Sequence, residues 1–387
     1  MSFRTSRQPG NTQMSDDGNS VIGPLIGARR PRYEILHEVI DDFIARQPDG
    51  EDIYFFINIS SLLRQFFSEY SVSRLTRGEL NRHPRALAAE LFNVAGHYRN
   101  FAWKHHNRNS TVLMYYSSER CESKLSIDPE YKASLYAKRI GGATAEYDVV
   151  RNYVNFNLRV LKELFERIPH VHLLDTKQID PDVWPWAVAM EGQVNGSALV
   201  LSSQTGDLQY ALNPGVDPMS GREWGVLKPS GEHSRLVTRD TLIADTLRQS
   251  KSVDELVDKL DPDHFVYLLA MAGDEDIGVA GLLKFGLAKA AKHIVKCIEK
   301  GRLPATSPTL QSLIADGQLP EGGSEIVTKS WGLLNYADYA SAIPSEDMSQ
   351  VELQMVNRSG LGELEKANAQ YFNGILNLDL IYAGEEF

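Results

Sequence analysis

Four short, unbroken apolar runs, spaced by helix-length segments, constrain this chain more than any other feature. They are Ile53-Tyr54-Phe55-Phe56-Ile57-Asn58-Ile59, Thr111-Val112-Leu113-Met114-Tyr115-Tyr116, His170-Val171-His172-Leu173-Leu174-Asp175 and Ser197-Ala198-Leu199-Val200-Leu201-Ser202-Ser203. A strand covered on both faces has no solvent side, so it reads as a continuous apolar run rich in branched and aromatic residues. Between the runs the apolar period is helical. Ile35, Leu36, Val39, Ile40 and Phe43 share one face, residues 61–70 read as a helix, and residues 147–167 form an amphipathic one. Alternation of this kind predicts an α/β fold: a mainly parallel sheet with helices on both faces. Such sheets gather their sites at the carboxyl ends of the strands. The positions to inspect are therefore Asn58, Tyr116, residues 175–182 and residues 202–207.

The rest of the chain reads differently. Residues 1–30 are rich in Ser, Asn, Gly, Gln and Arg without an apolar period, the composition of a disordered tail. Residues 31–250 hold the α/β pattern. Residues 251–305 are helical, interrupted by the carboxylate-rich turn Gly273-Asp274-Glu275-Asp276 and a glycine-punctuated loop from Gly278 to Gly286. The next helix carries Lys289, Lys292, Lys296 and Lys300 nearly in line. Residues 306–387 read as an acidic, largely helical extension.

Charge and motif content exclude several classes. The 387 residues carry a net charge of −11, so a basic footprint for nucleic acid has to be local. The two cysteines, Cys121 and Cys297, suit a reducing compartment. No apolar run is long enough for a bilayer and the first residues do not read as a secretory signal, so the expected location is intracellular, in the cytoplasm. The histidines lack Cys or acidic partners at zinc spacing. No phosphate-binding glycine loop follows a strand, and no G-x-S-x-G elbow is present.

Four segments together resemble the 5′-nuclease superfamily: flap endonucleases, phage 5′–3′ exonucleases and the nuclease domain of DNA polymerase I. Ile57-Asn58-Ile59-Ser60-Ser61-Leu62-Leu63 is similar to the family's first strand and turn. Tyr131-Lys132-Ala133 with Lys138-Arg139 is similar to the segment near its helical arch. Leu201-Ser202-Ser203-Gln204-Thr205-Gly206-Asp207 is similar to the strand end S-S-D-x-D. Ala272-Gly273-Asp274-Glu275-Asp276-Ile277, followed by Gly286-Leu287-Ala288-Lys289-Ala290, resembles the helix–three-turn–helix element. The resemblance implies a PIN-like α/β domain followed by that element.

The chemistry implied by the resemblance needs acidic residues at several strand ends, because paired magnesium ions take oxygen ligands. Here Asn58, Tyr116, Gln204 and Gly206 stand at positions where the family carries Asp. Asp182, Asp207, Asp274 and Asp276 remain as residual metal ligands. The expected function is accordingly that of a catalytically inactive 5′-nuclease-like protein, a binding or adaptor module needing no cofactor. Its partners are expected to be chiefly proteins, with Tyr116, Trp184 and Trp186 as the interface. One alternative is an active, divergent flap endonuclease using magnesium or manganese. Another is a non-catalytic DNA- or RNA-binding protein contacting phosphates through Lys132, Arg139, Lys284, Lys289, Lys292 and Lys296. The resemblance to phage nucleases would suit a phage-encoded chain acting inside its host.

Overall fold

The computed structural model describes residues 33–66, 84–116, 121–131, 144–174, 179–228, 234–248, 254–274, 277–306, 309–315, 319–344 and 360–384. The tail at 1–30, Lys132, Arg139 and Asp276 lie outside the described residues. Six strands form one sheet: β1 (Ile53–Asn58), β2 (Ser110–Tyr115), β3 (Val171–Leu174), β4 (Ser197–Leu201), β5 (Trp224–Lys228) and β6 (Arg235–Val237). Their order is β3-β2-β1-β4-β5-β6, and all pairings are parallel except the antiparallel β5–β6 edge. The expected parallel-rich sheet is therefore present. Its first four strands coincide with the four apolar runs, each trimmed at one or both ends.

Strands β5 and β6 were not anticipated from the sequence. Strand β6 has three residues, and β5 is diluted by Gly225. That glycine is favoured by packing: a Cβ there would lie 2.7 Å from Leu236 Cδ1 and 3.1 Å from Phe43 Cε2, so both side chains would have to shift.

The helices that matter for the site are α1 (Tyr33–Ala45), α2 (Ile59–Phe66), α3 (Ala86–His106), α4 (Glu122–Ile127), α5 (Thr144–Phe165), α6 (Trp184–Met190), α7 (Phe265–Ala272), α8 (Leu287–Glu299), α9 (Gly323–Leu334), α10 (Tyr336–Ser341), α11 (Leu361–Tyr371) and α12 (Leu378–Ile381). Side chains alternate across the sheet with period two. Tyr54, Phe56, Leu113, Tyr115, Ala198, Val200, Trp224 and Val226 face one core, shared with residues of α6, α7, α8 and α9. Ile53, Phe55, Ile57, Val112, Met114, Leu199 and Leu227 face the other, shared with α1, α3, α5 and α12. The strands are buried on both faces, which is why their sequences run apolar without a break.

The carboxyl-terminal residues return to this sheet. Arg99 on α3 donates to Ile381 O at 2.7 Å and to Pro169 O at 3.0 Å, fixing α12 across α3. Helix α10 packs against α6. Among the described residues, no helix is long and apolar enough to cross a membrane.

Helices α7 and α8 are joined through a close backbone crossing. Asp274 and Val279 exchange backbone hydrogen bonds at 2.9 Å, and Leu282 N donates to Met271 O at 2.8 Å. Gly273 has φ +75°, and a Cβ on Gly281 would stand 2.1 Å from Ala272 O. Gly281→Ala is expected to destabilise the fold by about 2 kcal/mol or more, because rigid backbone has to separate. Gly362→Ala, on an exposed helical turn where a Cβ meets nothing within 4 Å, is expected to stabilise by about 0.5–1 kcal/mol. Urea unfolding of the two variants checks both signs.

Candidate functional site

The carboxyl ends of β1, β2 and β4 meet at one polar pocket inside the first core. Asn58 is the last residue of β1 and pairs in register with Tyr115, the last residue of β2. Asn58 continues the face of Tyr54 and Phe56, so its side chain follows them inward. After β4 the chain passes Ser202 and enters a 3₁₀ helix, Gly206–Leu212, which turns Asp207 back beneath the strand ends. After β3 another short 3₁₀ turn, Pro181–Val183, starts with the Asp180 carboxylate accepting from Asp182 N at 3.1 Å. These turns bring together residues up to 149 positions apart.

The centre of the pocket is an amide. Asn58 Nδ2 donates to Asp182 Oδ1 and to Asp207 Oδ2, both at 3.3 Å. One nitrogen carries two hydrogens, so one amide serves both carboxylates. Gln204 Nε2 approaches the same Asp182 Oδ1 at 3.5 Å. Tyr336, the first residue of α10, donates its hydroxyl to Asp207 Oδ1 at 2.8 Å, and Ser202 also bonds Asp207. Tyr210 donates to the backbone oxygen of Asp182. Ser61 Oγ, on α2, accepts from Ser203 N at 2.9 Å and so holds the end of β4 to the start of α2. Asn58, Asp180, Asp182, Gln204, Asp207, Tyr210 and Tyr336 are all buried, and Asp207 is fully so.

Burial sets the protonation behaviour of the pocket. The Asp207 carboxyl is pushed up to about 7, first by burial and then by the neighbouring Asp182 carboxylate, against the hydrogen bonds from Ser202, Tyr336 and Asn58. Tyr115, Tyr210 and Tyr336 are driven well above the ordinary phenol range, chiefly by burial, so they remain neutral.

Several sequence expectations meet this geometry unevenly. Asn58, Asp182, Gln204 and Asp207 converge. Gly206 lies at the rim: a Cβ there would be 3.1 Å from Tyr336 Oη and 3.8 Å from Asp274 Oδ2, so Asp274 also borders the pocket. Tyr116 does not enter it. Strand alternation turns Tyr115 inward, whereas Tyr116 is half-buried against the opposite core. The register that pairs Asn58 with Tyr115 sets Tyr115 on the pocket face.

Trp184 and Trp186 are not surface anchors. They are 2% and 7% exposed, because α6 is enclosed between the sheet and α10. Trp184 packs edge-on to Phe56, and Trp186 lies 6.3 Å from the Tyr210 ring. Lys284, Lys289, Lys292 and Lys296 are exposed along the α7–α8 loop and one stripe of α8, opposite buried Ala290, Ala291, Ile294 and Val295. Tyr336 and Lys124 escaped the sequence reading: no local signal joins either to residues so distant along the chain.

Among the described residues, no group of three or more His, Cys, Asp or Glu is arranged to hold a metal ion. No protein-family model and no curated protein matches the sequence. Among solved structures the chain is similar to the T5 5′-exonuclease with divalent zinc ions bound, at 13% identity and a TM-score of 0.53, over 77% of this chain and 96% of that one. It is also similar to the bacteriophage T5 D15 flap endonuclease in complex with DNA and metal ions, at 14% identity and a TM-score of 0.49, over 77% and 96%. A third is the catalytic core of Rad2 with a DNA substrate, at 12% identity and a TM-score of 0.37, over 90% and 98%. The first likeness shows the fold: this is the α/β fold of the 5′-nucleases.

The Asp207 carboxyl gives a pH test with a definite sign. Its folded value lies above its ordinary value of 3.8, so the native state holds the proton more tightly than the unfolded chain. Its contribution to stability therefore falls as pH rises from about 4 to about 7, by at most about 4 kcal/mol. Asp207→Asn is expected to remove that loss. Its stability relative to wild type should rise between pH 5 and pH 8, as read by denaturant unfolding at both.

Proposed function

We propose that this chain is a non-cleaving binding protein built on the 5′-nuclease fold. The observation that carries the reading is the Asn58 amide lodged between Asp182 and Asp207. In a two-metal nuclease, cations stand against such carboxylates and clamp the reacting oxygens. Here their oxygens accept from Asn58, Tyr336 and Gln204 instead. Asp180 is engaged by the Lys124 ammonium at 2.7 Å. Magnesium or manganese would need several carboxylates converging on one point, and among the described residues no three His, Cys, Asp or Glu side chains are so arranged. The pocket is also buried, so a phosphodiester has no surface there to approach.

The burial of Trp184 and Trp186 leaves the expected protein interface without its two tryptophan anchors. The exposed lysines favour nucleic acid as the ligand. Lys289, Lys292 and Lys296 recur at helical spacing, with Lys284 at the preceding turn in a left-handed conformation, φ +62°. Lys289 Nζ sits 4.3 Å from the Phe285 ring centroid, which holds the ammonium toward the loop. A stripe of this kind reads phosphate charge without reading sequence.

Two outcomes are expected. Stoichiometric protein with magnesium or manganese should leave flap, nicked and single-stranded DNA uncut. Metal-dependent cleavage that is lost in Asp182→Ala or Asp207→Ala would establish an active nuclease instead. Duplex binding, followed by fluorescence anisotropy, should weaken steeply with salt. Replacing Lys284, Lys289, Lys292 and Lys296 together by Ala should lower the log–log salt slope by roughly 3. An unchanged slope would move the contact elsewhere.

A further inference from the structure

Beside the Asn58 bridge lies a second buried charge arrangement. Lys124, on α4, is 1% exposed, a degree of burial that lysine tolerates only with a partner. Its Nζ lies 2.7 Å from Asp180 Oδ2. Tyr131 donates its hydroxyl to the same Asp180 oxygen at 2.9 Å, and Lys124 Nζ reaches the Tyr131 oxygen at 3.4 Å. Three rings surround the ammonium: the centroids of Tyr131, Tyr336 and Tyr339 are 5.3, 5.4 and 5.0 Å away. Ring faces carry negative potential, so three tyrosines and one carboxylate form a cation receptor.

The receptor is assembled from chain segments far apart. Lys124 and Tyr131 follow β2, Asp180 follows β3, and Tyr336 and Tyr339 belong to α10. Tyr339 also contacts Ser123, Cys121 Sγ at 3.4 Å and Asp180 N at 3.3 Å. Tyr336 couples the two arrangements, since its ring faces Lys124 while its hydroxyl bonds Asp207.

We infer that Lys124 is the resident cation of this pocket: its ammonium fills a cation site built by Asp180, Tyr131, Tyr336 and Tyr339, and thereby clamps α10 across the strand ends. The inference rests on the reading of the pocket as metal-free and adds what balances its charge. A tethered ammonium does not exchange with solution, so the clamp is permanent. The chemical class that the site recognises is a primary alkylammonium. The site differs from a metal site in using ring faces, which a strongly hydrated divalent ion does not exchange for its water.

The test is chemical rescue of the full chain without metal. Lys124→Ala removes the equivalent of n-propylammonium. Its thermal midpoint is expected to fall by roughly 5 °C or more and to recover with n-propylammonium chloride. Equal concentrations of n-propanol or sodium chloride should not restore it. Recovery with n-propanol as large as with the amine would overturn the inference, because the site would then need only apolar filling. If Lys124→Ala does not fold, Lys124→Met keeps the stem without the charge. The Lys124→Met/Asp180→Asn double variant is then expected to regain at least half of what the two single variants lose together. Additive losses would overturn the inference. Metal-dependent cleavage by the wild type would instead overturn the metal-free reading, which the rescue experiment does not touch.

Discussion

Charge buried at the ends of parallel strands is the constraint from which the rest of this structure follows. The fold delivers Asp180, Asp182 and Asp207 to a region that water does not reach. Carboxylates there are tolerated only when something answers their charge and fills their lone pairs. An exchangeable cation is one solution. In this structure the Asn58 amide spans two carboxylates, Lys124 pairs with the third, and Tyr336 bonds Asp207 from the remaining side. The partial compensation is visible at Asp207, whose carboxyl is pushed up by burial and by the Asp182 carboxylate further than the hydrogen bonds from Ser202, Tyr336 and Asn58 bring it down.

The same requirement explains why the carboxyl-terminal residues are part of the fold's centre. Helix α10 contributes the hydroxyl that bonds Asp207 and two of the rings around Lys124. Gln209 Nε2 donates to Leu334 O at 2.6 Å, and Gln209 Oε1 accepts from Tyr336 N at 3.2 Å, so the 3₁₀ turn carrying Asp207 is itself gripped where α9 ends and α10 begins. Enclosing α6 between this helix and the sheet is what buries Trp184 and Trp186. Stability and occlusion of the pocket thus come from one set of contacts.

Much of the architecture was legible before any coordinates. Continuous apolar runs announced strands buried twice over, and the helical periods between them announced parallel crossovers. Asn58 and Gln204 could be named as neutral residues at strand ends from their positions alone. Strand β5 was hidden because packing against Leu236 and Phe43 favours a glycine in its middle. Tyr116 was named where Tyr115 belongs, because the run Met114-Tyr115-Tyr116 does not mark its own end. A shift of one residue in a strand exchanges the two faces.

The sequence by itself determined the fold class and which strand ends to inspect, since both follow from local periodicity and residue type. Only the tertiary structure decided how the surviving acids are answered. Asp207 meets Tyr336 across 129 positions, and Asp182 meets Asn58 across 124. Lys124, an ordinary lysine in a six-residue helix, becomes a buried counter-ion only when residues after β3 and from α10 arrive around it. Hydrogen bonds and ion pairs act over a few ångströms of space, and a sequence records proximity along the chain alone.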